Sequence, residues 1–205
     1  MNRRNFIKNF SLLASSTILA KNSFAGLACN PIAPNIQACT AGLDSTLIGI
    51  TANAVGGQHQ SQWCWAACIE MVFRYYGFIV PQAQIVAETW GEIVNLPGQP
   101  DQILADLNRT WTDQSGSRFS VIADTLSVNP ITAAQDLAAG MPLIIGSRGH
   151  ATVLTRVDYL VNSFGQGEIQ QAVVRDPWPG KGKRFLTPEE WFNVIFAARI
   201  RVGSL

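Results

Sequence analysis

The sequence predicts an α+β fold of two lobes, a helical one followed by one built on an antiparallel sheet. Residues 64–76, CWAACIEMVFRYY, place Trp65, Cys68, Ile69, Val72 and Tyr76 on one stripe, and Gly77 follows as a stop. That is the period of a buried helix. From Pro142 the texture changes to short β-rich runs, 143–147, 151–159 and 168–175, separated by Arg148-Gly149 and by a turn over 162–167. With 205 residues the chain can bury one substantial core.

The other elements follow from local signals. Residues 45–50, STLIGI, read as a short strand broken by Gly56-Gly57. Two short helices are expected, one from Pro81 to about Trp90 and one from Asp101 to about Asn108. Asn129-Pro130 supplies an N-cap and a first helical residue for another, which Gly140 ends. Thr187-Pro188-Glu189-Glu190 has the pattern of a capping box and opens a helix to about Ala197, after which residues 200–202 return as a final strand. The first two thirds of the chain therefore reads as largely helical.

Composition narrows the function. The chain is 47% hydrophobic and 14% charged, with formal net charge +1. All four bases of residues 1–25 (Arg3, Arg4, Lys8, Lys21) lie where there is no acid, leaving 11 bases against 14 acids, net −3, on the remainder. A mildly acidic body argues against nucleic acid as a partner. The basic start, the apolar run from Leu12 to Ala20 and Ser23-Phe24-Ala25 have the order of an export signal over residues 1–25. The paired arginines and the residues after them resemble a twin-arginine signal. No other run is long enough for a membrane span, so none is expected in the mature chain.

Export places the four cysteines in an oxidising compartment, periplasmic or secreted from a bacterium. Cys29 and Cys39 flank Pro31 and Pro34 in a strap over residues 26–44, where a local disulfide is the natural reading. Cys64 and Cys68 lie four apart at a helix start, and their nearly parallel Cβ vectors suit a disulfide poorly. At least one of them is expected to be free for chemistry.

Cys64 falls in the first helical turn, where unpaired N–H groups and the helix dipole stabilise a thiolate. Gln58, on the loop entering the helix, can offer a side-chain amide to an oxyanion beside the Cys64 N–H, with Gln60 and Gln62 as competitors. His150 stands at the start of a strand after a glycine turn, and a distant cysteine and histidine of this kind can be paired by folding. Asp176, at the end of 172–174 and fixed by Pro177, can accept the second imidazole proton; Asp158 competes from the same face of the His150 strand but lies at its far end. Trp178 could cover the His150–Asp176 contact.

Gln58, Cys64-Trp65, the run from Gly140-Met141-Pro142 to Gly149-His150-Ala151, and Asp176-Pro177 together resemble the papain-like cysteine proteases. The likeness is to their short bacterial branch of secreted effector proteases and bacteriocin-leader-processing domains, and it spans roughly residues 45–180. It implies a papain-like catalytic domain over residues 45–205 acting on protein or peptide substrates. In it Cys64 is the nucleophile, His150 the base, Asp176 the orienting group and Gln58 the oxyanion donor. Neither a metal nor another cofactor is implied. No segment has the length of an inhibitory propeptide, and Arg148 before Gly149-His150 is unusual beside a base; it could depress the His150 pKa or meet an acidic substrate group. A cell-wall peptide amidase using the same chemistry, and a binding module on the same scaffold, are the competing expectations.

Overall fold

The computed structural model describes residues 26–205, and the export signal read over residues 1–25 lies outside the described residues. Two strands open the described chain, β1 (Gly26–Ala33) and β2 (Ile36–Gly42). A helical stretch follows: α1 (Ser45–Val55), α2 (Cys64–Tyr75), α3 (Gln82–Trp90) and α4 (Pro100–Asp106). A hairpin, β3 (Thr110–Thr112) and β4 (Arg118–Thr125), leads to α5 (Pro130–Ala138). The chain then forms β5 (Leu143–Ser147), β6 (His150–Asn162), β7 (Gly167–Asp176), β8 (Gly182–Phe185), α6 (Pro188–Phe192) and β9 (Val194–Ser204). The described residues thus form a mixed α+β fold of six helices and one antiparallel sheet.

The sheet runs β1-β2-β6-β5-β9-β4-β3, with β7 on the other edge of β6 and β8 beyond β7. The thirteen residues of β6 make this possible. Along one edge β5 covers residues 150–154 and β2 covers 156–162, while β7 covers 153–161 on the other. Helix α2 packs on this strand with every residue from Trp65 to Phe73 buried. Ala66 and Ala67 let the backbone approach closely, and Phe73 meets Trp111 and Phe119 edge to face at 5.4 and 5.1 Å, a favoured aromatic geometry. Among the described residues no helix is long and apolar enough to cross a membrane.

Four expectations are corrected. Residues 45–50 are the first turns of α1, not a strand. The Asp44 carboxylate accepts from the N–H groups of Thr46 and Leu47, Gly56 closes the helix at φ 71°, and Ile48, Thr51 and Val55 are buried at helical spacing. Cap and period together override the β-rich composition. The strap is a β-hairpin with a register shift between Pro31 and Ala33, in which Cys29 and Cys39 face one another and form the expected disulfide. Residues 110–125 contain two strands, with Phe119, Val121 and Ala123 buried at period two around a turn in which the Asp113 carboxylate accepts from Ser115 and Ser117 N–H. The helix opened by Thr187 ends at Phe192, since 194–204 is needed as the strand between β5 and β4.

Candidate active site

Cys64 is the first residue of α2, and its N-cap Trp63 makes no capping hydrogen bond through its side chain. The helix start therefore keeps N–H groups for other acceptors, and the Trp65 and Ala151 N–H groups both reach the Cys64 sulfur. Both Cys64 and Cys68 are free thiols. Burial pushes the Cys64 thiol up, but hydrogen bonds from His150, Ala151 and Trp65 and the His150 charge outweigh it, and the net shift is downward. Cys68, one turn deeper and fully buried, is pushed well above the usual thiol range by desolvation and by the charges of Cys64 and Asp176. The two thiols thus differ by environment and not by chemistry.

The turn before His150 is set by backbone sterics. Ser147 pairs with His150 across a two-residue connection, with Arg148 at φ 54° and Gly149 at φ 77°. Left-handed geometry at both central positions matches the twist of a tight hairpin. Arg148 adopts it with its guanidinium 2.5 Å from Glu189 of α6, so it faces a carboxylate and not the imidazole; the His150 pKa rises.

Register supplies the third group. Val153 pairs with Arg175, so Asp176 falls opposite Thr152 and shares a face with His150. The His150 Nε2 lies 2.7 Å from the Asp176 Oδ1, which leaves Nδ1 for the Cys64 sulfur. Burial lowers the imidazole's affinity for a proton, but the hydrogen bonds and charges of Asp176 and Cys64 more than offset it and raise the His150 pKa to about 9. Asp176 shows the converse: burial would raise it, yet hydrogen bonds from His150, the Trp178 N–H and Arg184 bring it down to about 2. Cys64, His150 and Asp176 are therefore one connected chain. Asp158 lies elsewhere, accepting from Thr40 and from Arg156 at 3.0 and 2.8 Å.

Two residues behind Asp176, Arg184 and Glu190, support the site in a way the sequence does not signal. Arg184 of β8 donates from Nε to the Asp176 Oδ2 at 2.6 Å and grips Glu190 with both terminal nitrogens at 2.9 and 2.7 Å. Glu190 is the N3 residue of the α6 capping box, so the group that caps the helix also holds Arg184. The capping box was visible; its partner was not, because Arg184 shares the face of Asp176 only through the β7–β8 pairing. The Trp178 ring stands edge-on to His150, centroids 6.3 Å apart, while the Trp178 backbone N–H donates to Asp176 at 2.8 Å.

Gln58 is buried and its N–H donates to the Pro177 carbonyl at 2.7 Å, tying the loop before α2 to the turn after Asp176. Its side-chain amide donates to the carbonyls of Gln60 and Ser61, both at 2.9 Å, and its Oε1 has no partner. Both amide hydrogens are thus directed into the loop. Gln60 and Gln62 are exposed. Gln82, fully buried, fastens the same loop by donating to the Gly57 carbonyl and accepting from the His59 N–H, each at 2.9 Å.

Beside Cys64 and His150 opens a cavity of about 160 Å³, lined further by Pro97, Gly98, Ile195 and Phe196. The 94–98 segment is pinned over it: Trp63 and Trp65 donate their indole N–H groups to the carbonyls of Val94 and Leu96 at 2.8 and 3.1 Å. A Cβ at Gly98 would come within 2.6 Å of the Trp65 ring, so only glycine permits that approach. Such an arrangement can hold an acyl group against an activated thiolate. The sequence matches no model of a known protein family and no curated protein.

Proposed function

We propose that this chain is an exported, papain-like cysteine peptidase. The observation that carries the reading is the position of His150, whose Nε2 lies 2.7 Å from the Asp176 carboxylate while its ring also interacts with the Cys64 thiol. A lowered thiol pKa beside a raised imidazole pKa favours the thiolate–imidazolium pair, which is the reactive form of such a dyad. The Cys29–Cys39 bond fits a protein that works in an oxidising compartment.

In the proposed reaction the Cys64 thiolate attacks the carbonyl carbon of a peptide, and the carbonyl π pair moves to oxygen. The Cys64 N–H and one Gln58 amide hydrogen receive that charge, Gln58 exchanging a loop carbonyl for a stronger bond to the anion. The pair returns from the oxyanion, the C–N bond breaks, and the His150 Nδ1 gives its proton to the leaving amine. Neutral His150 then takes a proton from water as the water attacks the thioester. The C–S bond breaks, releasing the acid and restoring the ion pair. Asp176 keeps the imidazole in one orientation throughout.

The test is hydrolysis of casein and of purified peptidoglycan by the exported protein and its Cys64→Ala variant, with iodoacetamide labelling at about pH 6, where an ordinary thiol of pKa about 8.5 hardly reacts. Casein turnover and Cys64 labelling by the wild type, both absent in the variant, are expected. Turnover of peptidoglycan alone would make the chain a cell-wall amidase. An unlabelled Cys64 without turnover would make it a binding module.

A further inference from the structure

One residue before Asp176, the side chain of Arg175 leaves the opposite face of β7. Its guanidinium reaches α1, where a Cβ on Gly49 would lie 3.3 Å from its Nη2. Among the described residues it has neither an ion pair nor a hydrogen bond, and its Nε is buried without a partner. Burial accordingly lowers its pKa. Arg184, one register position away across the β7–β8 hairpin and on the opposite face, is satisfied by two carboxylates. The Arg175 Nε is therefore shielded without an acceptor, while the half-buried guanidinium faces open space in which an acceptor could sit.

The space for an acceptor is present. Arg175 and Lys183 line two adjoining cavities of about 390 and 510 Å³, and Lys181 also faces the second. Neither lysine forms an ion pair among the described residues, whereas Arg156, on the first cavity, is held by Asp158. The only carboxylate on either lining is Asp176, whose oxygens already accept from His150, the Trp178 N–H and Arg184. Three cations without an ion-pair partner among the described residues therefore line a space of the size small ligands fill.

We propose that the joined cavities between α1 and the β7–β8 hairpin bind a small oxyanion, a phosphate group or a multiply charged carboxylate. The planar fork of Arg175 grips two of its oxygens, and Lys183 and Lys181 add charge from the hairpin. The site is separate from the cleft at Cys64 and holds regardless of which bond the enzyme cleaves. Because Asp176, Pro177 and Trp178 form part of the same wall, a bound anion would fasten the turn that orients His150.

Calorimetric titration of the exported protein with inorganic pyrophosphate and with citrate, at ionic strength fixed with sodium chloride, tests this. Saturable binding of one equivalent is expected for at least one of the two, and the preferred anion tells phosphate from carboxylate chemistry. Arg175→Gln should weaken it about tenfold or more, the scale of one lost charge-assisted pair. Lys183→Gln, at an exposed position, should weaken it severalfold while leaving Cys64 alkylation at its wild-type rate. Arg118→Gln, exposed on another strand, should leave binding unchanged. Absence of saturable binding by a protein whose Cys64 still alkylates would overturn the site without touching the peptidase reading. Binding that survives both Arg175→Gln and Lys183→Gln, or that Arg118→Gln weakens equally, would also overturn it.

Discussion

The two sides of the site are built on opposite principles. On the sheet side, His150, Asp176, Arg184 and Glu190 form an unbroken run of charge-assisted bonds, with both oxygens of each carboxylate occupied. On the helix side, Cys64 sits on a helix start without a side-chain cap, and the Gln58 loop is held by neutral hydrogen bonds, with one amide oxygen unpartnered. Behind His150 the charges of Asp176, Arg184 and Glu190 are permanent in the proposed reaction and must be held still. Charge appears and disappears on the helix side, where donors have to be released to follow it. The lesson is that saturation marks the part of a site that orients, and vacancy marks the part that reacts.

The sharpest way to break this comparison is to remove the groups where its two sides meet. Cys64→Ala and His150→Ala should each lower peptide hydrolysis by at least about 10⁴-fold with the fold retained, because nucleophile and base act as a unit. Asp176→Ala should leave measurable activity, reduced by about 10² to 10⁴, since it only holds the ring. Steady-state kinetics with thermal melts decide both. A Cys64→Ala enzyme of wild-type activity would end the reading.

The pH profile sharpens the contrast. His150 must be protonated to release the amine, so activity should fall as pH rises through its folded value of about 9. The acid limb should lie below the ordinary thiol range, because Cys64 is lowered. The same shifts carry stability with opposite signs. The His150 contribution is present below its unfolded pKa of about 6.5 and is lost as pH rises through 9. The Asp176 contribution is present above the unfolded value of about 4 and is lost as pH falls toward 2. A kcat/KM profile without a basic limb near 9 would contradict the ion pair.

Arg184→Met and Gln58→Ala then compare the two sides directly. Losing Arg184 strands a buried carboxylate oxygen and Glu190, so a stability loss of about 2 kcal/mol is expected, with activity down about tenfold and partly restored by Arg184→Lys. Losing Gln58 removes one oxyanion donor and should lower kcat by about ten- to a hundredfold with little change in KM. Equal melting temperatures for wild type and Arg184→Met would mean that the sheet-side network does not orient Asp176 as described.

Much of this was legible in the sequence, and the failures have physical causes. Helix α2, the strand carrying His150 and the position of Asp176 were readable because each has a local signal: a helical stripe, a glycine turn, a proline stop. Arg184 had none, since its role exists only once β8 pairs with β7. The start of α1 differs from the strand its β-rich composition suggests, because the Asp44 cap, the spacing of Ile48, Thr51 and Val55, and Gly56 outweigh that composition. The Gln58 amide could not be oriented from sequence, as the competing carbonyls of Gln60 and Ser61 belong to a folded loop.

The smallest effect on activity belongs to the Cys29–Cys39 bond. It joins directly opposed residues of the β1–β2 hairpin, ten apart in sequence, on the outer strands beyond β6. Closing so short a loop limits the unfolded chain by only about 2 to 3 kcal/mol. The hairpin ladder already fixes the same residues in the folded state, and neither cysteine borders Cys64, His150 or Asp176. Cys29→Ser with Cys39→Ser should therefore lower the melting temperature by several degrees and leave kcat/KM within about twofold. Mass mapping of the oxidised protein should find this bond alone, with Cys64 and Cys68 as thiols. A tenfold loss of activity in the double variant would place the hairpin among the groups that orient His150, and the division between an orienting sheet side and a reacting helix side would then have to extend across β2 to the edge of the sheet.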